Sequence, residues 1–188
     1  MMKITEIKSN EVLKTLYSFL VNQESGTVLC VHDKKMVLVP KAKVVDENLC
    51  YELGYDIIEE PYTGGVIVAD VGDIWVVNFG KLGNSFRKQF AEYMVDCLKS
   101  KGLSAVYEDN DILVDGYKIS GSAGARYSNI EFSAFHIGIN TNLEDIKKIC
   151  TKPMKKIPKG LSEYNITTEE LKQMILEFCE TYNHEGGR

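Results

Sequence analysis

Asn110-Asp111-Ile112-Leu113-Val114-Asp115-Gly116-Tyr117-Lys118-Ile119-Ser120-Gly121-Ser122-Ala123 is the stretch from which the fold is read. Asp115-Gly116 lies between two apolar runs, the signature of a two-residue type I′ hairpin turn, which needs positive φ at both central positions. In such a hairpin Val114 faces Tyr117, Leu113 faces Lys118, Ile112 faces Ile119 and Asp111 faces Ser120. Opposed residues share a face and the face alternates along each strand. Ile112, Val114, Tyr117 and Ile119 therefore form the expected core side, and Leu113, Lys118, Asp111 and Ser120 the other. A lysine is expected on a paired strand, beside a carboxylate, a hydroxyl and a small-residue loop, Gly121-Ser122-Ala123-Gly124. Such loops let a ligand approach backbone N–H groups, as phosphate and adenylate sites require. The same spacing also suits a solvent-facing lysine beside a flexible turn.

Upstream, Asn84 opens an amphipathic helix with Phe86, Phe90, Tyr93, Met94, Cys97 and Leu98 on one stripe, and Gly102 stops it. Residues 27–31, 36–39, 55–59, 65–69 and 73–79 read as short strands. Asp33-Lys34 between the first two suggests a hairpin, and Pro40 ends the second. Residues 11–21 carry Val12, Leu13, Leu16, Phe19 and Leu20 at helical spacing. Downstream, 131–140 reads as a strand, Asn142 caps a short helix through Cys150, and 151–164 is a basic, proline-broken connection. Thr167 then caps the last helix, Glu170 completes a capping box, and Leu171, Met174, Ile175, Phe178 and Tyr182 line its buried face. About nine strands and four helices predict an α+β fold, with mixed or antiparallel sheets flanked by helices, in one domain over 1–188.

Composition narrows the function classes. The 188 residues are 44% hydrophobic and 26% charged, enough for one sizeable core. With net charge −5 and no basic block, the chain is a poor general nucleic-acid binder. No apolar run approaches the roughly 20 residues of a membrane helix, and the polar start argues against a signal peptide. The 5 cysteines are odd in number, scattered and without a C-x-x-C pair, so reduced thiols in a cytoplasmic protein are expected.

Other candidates are weaker. Pro61-Tyr62-Thr63-Gly64-Gly65 enters a strand as a bare turn or as a loop folded against a ligand. Gly116 and Gly121 have P-loop spacing, but Ser122 stands where the lysine should follow. A lone mid-strand histidine such as His136 is more often a hydrogen-bonded core residue than a catalyst. Glu47 and Glu59-Glu60 read as solvated. Lys152, Lys155, Lys156 and Lys159 form a basic patch suited to an acidic partner.

Taken in order, these segments resemble the catalytic domain of the lipoate–protein ligases and, more distantly, the biotin–protein ligases. Residues 110–123 resemble the family's N-D-(apolar)₃-x-G-x-K-(I/L)-(S/A)-G signature. Phe135-His136-Ile137-Gly138-Ile139-Asn140 is similar to its F-H-x-G strand, and Leu143-Glu144-Asp145-Ile146 to the D-L-x-x-L helix that follows. Thr63-Gly64-Gly65-Val66-Ile67-Val68-Ala69-Asp70 resembles the R-R-x-G-G-G-A-V-x-H ligand loop, and 152–171 the region closing the family's large domain.

This resemblance implies an ATP-dependent ligase. It would form an acyl-adenylate from ATP, with Mg²⁺, and lipoate or a related carboxylate, then pass the acyl group to a lysine of a lipoyl-domain or H-protein-like carrier. Lys118 would neutralise charge between the carboxylate and the α-phosphate, and Asn110 and Asp111 would contact the nucleotide or Mg²⁺. Ser122 and Ala123 would supply backbone contacts near the nucleotide. Gly64 and Gly65 would pack against the acyl-adenylate, and His136 would line the pocket. The departures are Pro61 and Tyr62 in place of the paired arginines, Val66 for the third glycine and Asp70 for the loop histidine. Lys41 or Lys43 is a nearby substitute cation. The chain also ends where many lipoate ligases continue into a small lid domain, so either a separate accessory lid protein is expected or the lid is unnecessary. Two alternatives stand beside this reading: an octanoyl or lipoyl transferase with Cys150 as nucleophile, and a catalytically inactive ligase-fold binding protein.

Overall fold

A computed structural model describes residues 3–40, 44–59 and 65–184. In chain order these form β1 (Lys3–Ile7), α1 (Val12–Asn22), β2 (Gly26–Val31), β3 (Met36–Val39), α2 (Glu47–Glu52), β4 (Asp56–Glu59), β5 (Ile67–Ala69) and β6 (Ile74–Lys81). There follow α3 (Phe86–Ser100), β7 (Ala105–Glu108), β8 (Asp111–Val114), β9 (Tyr117–Tyr127), β10 (Ile130–Ile137), α4 (Leu143–Ile149) and α5 (Thr168–His184). The larger sheet has the order β1-β2-β6-β10-β9-β8-β7 and the smaller β4-β3-β5. Parallel pairs occur only at β1/β2 and β3/β4 among the described residues, so both sheets are mixed and the expected α+β class holds.

Alternation along β6 explains the layering, because successive side chains leave opposite faces of a sheet. Ile74 and Val76 join the core beneath α3 and α5, whereas Trp75, Val77 and Phe79 join a second core under α1 and β3. The first core is an aromatic stack: Phe90 lies 4.6 Å from Phe135 and 5.2 Å from Phe178, ring centre to ring centre. A third cluster, with Val37, Val39, Tyr55 and Ile149, fills the far side of the small sheet. All four residues of β3 are buried because that strand is covered on both faces.

Local stop and start signals act as expected. Asn142 accepts hydrogen bonds from the N–H groups of Glu144 and Asp145, capping α4. Thr167 N donates to Glu170 Oε2 at 2.9 Å and Glu170 N donates to Thr167 Oγ1 at 3.2 Å, a complete capping box. Asp115 and Gly116 have φ of 50° and 82°, as a type I′ turn requires.

Four expectations need correction. First, β2 and β3 do not form a hairpin, since they belong to different sheets. The chain leaves β2 where His32 N donates to Asp73 O and Asp33 Oδ1 accepts from Ser9 N, which turns Met36 and Leu38 into the interlayer core.

Second, the hairpin register slips by one residue. Leu113 faces Lys118 as expected, but Ile112 pairs with Ser120 and Asp111 with Gly121, leaving Ile119 as the extra residue of a bulge. The cause is non-local. Lys118 N donates to Ile157 O and Lys159 N donates to Lys118 O, while Gly138 N donates to Ile119 O. Strand β9 thus bends where it changes partners. Tyr117, whose pairing with Val114 is as expected, is nevertheless 40% exposed rather than in the core, and Leu113 and Ser120 are buried.

Third, Gly121-Ser122-Ala123-Gly124 is not a loop. It lies within β9, paired throughout with β10, Gly121 opposite His136 and Ala123 opposite Ala134. Fourth, β1, β7 and α2 have no counterpart among the expected elements. Glu47 opens α2, whose N-cap Asp46 accepts from Leu49 N. No helix of the described residues is long and apolar enough to cross a membrane.

Candidate functional site

A cavity of about 670 Å³ opens on the face of the large sheet that carries Trp75, Val77 and Phe79. Phe132 and Ala134 of β10 continue its apolar floor, and Leu16, Tyr17 and Leu20 of α1 and the stretch 65–68 close its sides. Lys118, Asn110, Asp111, Ser122, Ala123, Gly65 and His136 all line it. Gly64 lies outside the described residues, as do Glu60, Pro61, Tyr62, Thr63, Lys41 and Lys43.

The charged end is built on two consecutive hairpins. Asp109 and Asn110, with φ of 53° and 66°, form the tight turn joining β7 to β8, a conformation that Asp and Asn tolerate. The turn is pinned by Ser122, whose N–H and hydroxyl both donate to Asn110 O, at 2.8 and 2.9 Å. The Ser122 N–H is therefore committed inside the protein. Ala123 lies past Gly121, the last residue at which β9 pairs with β8.

Asp111 stands at the centre. Its Oδ1 lies 2.9 Å from Lys118 Nζ and its Oδ2 lies 3.2 Å from Lys156 Nζ. Lys156 is further held by Asp109 at 3.7 Å and by the carbonyl of Glu108 at 3.1 Å. Burial opposes its charge, but the hydrogen bond and charge of Asp111, with Asp109 and Glu108, outweigh that and hold its pKa above the ordinary lysine value. The bulge makes this cluster possible by setting Gly121, not Ser120, opposite Asp111. A methyl group at 121 would sit 3.0 Å from Lys118 Nζ and 3.4 Å from Asp111 Oδ1.

His136 lies in one cross-strand row with Gly121 and Trp75. Its Nε2 is 3.6 Å from Asp73 Oδ2 and makes no hydrogen bond, so the hydrogen-bonded core histidine expected from sequence is not what the structure contains. Burial, then the neighbouring His32 and Lys118, lower its pKa to about 3, and the ring is neutral at physiological pH. Asp73 is fully buried and accepts from the N–H groups of Asp70, Ile139 and Asn140; burial nevertheless raises its pKa to about 6.

Asp70, at the place the resemblance gives to a loop histidine, is not in the cavity wall. It accepts from Tyr55 Oη at 2.7 Å and from Asn142 N at 2.9 Å, tying β5 to the start of α4. Cys150 lines the cavity, but burial pushes its thiol pKa up, opposite to what a nucleophilic thiolate needs. Among the described residues no group of three or more His, Cys, Asp or Glu is arranged to hold a metal ion.

Lys156 is the site residue that sequence reading misplaced. The sequence sets it with Lys152, Lys155 and Lys159 in a basic patch for a partner, yet it turns inward to Asp111. Lys159 is likewise engaged, 3.5 Å from Glu163 and 4.4 Å above the Tyr164 ring centre. The segment is held alongside Lys118 by the backbone bonds of Ile157 and Lys159, which no local pattern in the sequence announces.

A lysine paired with a carboxylate on a bent strand thus lines a largely apolar cavity. Residues 14–180 match the lipoyl protein ligase A/B catalytic domain, and the chain belongs to that family. It is 29% identical over 143 residues to lipoate–protein ligase 1 of Staphylococcus aureus, covering 65% of this chain and 43% of that protein. It is 29% identical over 189 residues to lipoate-protein ligase LplJ of Bacillus subtilis, covering 89% of this chain and 54% of that one. The chain thus spans about half the length of these curated relatives. Among solved structures, lipoate-protein ligase A bound with ATP superposes with a TM-score of 0.79 at 17% identity, over 97% of this chain and 85% of that one. A bi-partite lipoate protein ligase of Thermoplasma acidophilum, described with its E2 lipoyl domain, gives 0.76 at 16%, over 97% and 84%. At these identities the two structures establish the fold.

Proposed function

We propose that this chain is the catalytic part of a lipoate–protein ligase, joining lipoate or a related acid to a carrier lysine through an acyl-adenylate. The observation that carries this reading is the Lys118–Asp111–Lys156 cluster at the charged end of an otherwise apolar cavity. In the first step a carboxylate oxygen attacks the α-phosphorus of ATP and pyrophosphate leaves. In the second, the amine of a lysine on a lipoyl-domain or H-protein-like carrier attacks the acyl carbon and AMP leaves.

Lys118 serves the first step. Its ammonium is held on a paired strand and brings two oxygens of like charge together without having to move a proton. Preorganised charge of this kind is worth about 3–4 kcal/mol per group in comparable sites. Asn110 and Asp111 would contact the nucleotide or its Mg²⁺, a cation usually held by one or two carboxylates plus phosphate oxygens. That ion supplies charge neutralisation when bound. Gly65 and the neutral His136 flank the acyl chain and add no charge to its wall. The likeness to a bi-partite ligase supports a separate accessory protein as a further partner.

The test is ATP–pyrophosphate exchange with Mg²⁺ and lipoate, octanoate, biotin or no acid, run with and without added accessory protein. Exchange that depends on lipoate and disappears in Lys118→Ala supports the reading. Absence of exchange with every acid, in the presence of the accessory protein, overturns it.

A further inference from the structure

We infer that Lys155 binds the terminal phosphates of the nucleotide, apart from the α-phosphate end served by Lys118; this rests on the ligase reading above. Among the described residues three lysines line the cavity, and two of them flank the same carboxylate, Lys118 at one oxygen of Asp111 and Lys156 at the other. Lys155 is exposed, lines the cavity and forms no ion pair among the described residues. Among the described residues it is the lysine of this wall without an ion pair.

Its position is set by the backbone rather than by chance. Lys156 is fixed by Asp111, Asp109 and the Glu108 carbonyl. The next residues are pinned to β9, Lys118 N donating to Ile157 O at 2.9 Å and Lys159 N donating to Lys118 O at 3.0 Å. Lys155 therefore projects from an anchored segment at the rim beside the charged cluster. A single carboxylate or an AMP moiety is served by Lys118 alone. A triphosphate carries several charges, and its tail calls for a further cation, since charge-assisted bonds to phosphate are the strong ones.

The test is equilibrium dialysis of ATP, pyrophosphate, AMP and lipoate, each with Mg²⁺, against wild type, Lys155→Gln, Lys155→Arg and Lys148→Gln. Lys148 is an exposed lysine of α4 outside the cavity wall and controls for the general field. In Lys155→Gln, ATP and pyrophosphate are expected to weaken about tenfold while AMP and lipoate stay within about twofold, and Lys155→Arg is expected to restore most of the loss. ATP binding unchanged in Lys155→Gln overturns the inference, as does AMP weakening as much as ATP or an equal loss in Lys148→Gln. Wild type that binds lipoate but no ATP overturns the ligase reading itself, a separate result.

Discussion

Gly121 stands directly opposite Asp111 in the β8–β9 ladder, and the space left by its missing side chain is where the Lys118 ammonium lies. A one-residue bulge produces this pairing. With the regular register, Ser120 would face Asp111, and its side chain would compete for the same space.

Gly121→Ala is therefore expected to displace Lys118 without unfolding the protein. The glycine does not need a left-handed backbone, so the strain falls on the flexible lysine tip 3.0 Å from the new methyl. Misplacement of a catalytic group by about 1 Å costs up to ~100-fold. Exchange assays beside thermal melting should show a drop of about 10- to 100-fold with Tm little changed.

Lys118→Ala is expected to cost about 3–4 kcal/mol of transition-state stabilisation, measured as kcat/KM for adenylation. Lys118→Arg should recover little, because a planar fork does not fit the space above Gly121 that a compact ammonium fills. Wild-type rates in Lys118→Ala would refute the site.

Cys150→Ser should leave acyl transfer within about threefold of wild type, since a thiol with a raised pKa is a poor nucleophile. Loss of transfer with adenylation retained would revive the cysteine-dependent mechanism.

Acid stability follows from the neighbouring pair of histidines. His32 and His136 have pKa values lowered to about 4 and about 3, so the unfolded chain binds their protons first and the folded state loses stability as pH falls below about 6.5. Asp73 works the other way. Its folded pKa is raised to about 6, so its proton is bound more readily in the folded state, and it offsets about one histidine between pH 6 and 4. The net is a stability that falls with pH, by on the order of 1 kcal/mol per pH unit over that range. Urea midpoints from pH 4 to 7.5 should show this slope, and His136→Asn should flatten it, because His32 and Asp73 then nearly cancel.

The sequence by itself determined the elements whose chemistry is local. The Asp115-Gly116 turn, the Asn142 cap and the Thr167–Glu170 capping box were legible because each is satisfied by neighbours within a few residues. The helical stripes of α3 and α5 were legible because their apolar spacing matches the helix repeat, and Lys118 and Asp111 were legible as neighbours because one tight turn joins their strands. Tertiary structure decided the rest. The transfer of β3 to a second sheet, the bulge at Ile119, the exposure of Tyr117 and the arrival of Lys156 at Asp111 all depend on partners distant in the chain, chiefly Asp73 and 157–159. No local pattern encodes them, because a backbone N–H or a lysine ammonium takes whichever acceptor the assembled fold brings within reach.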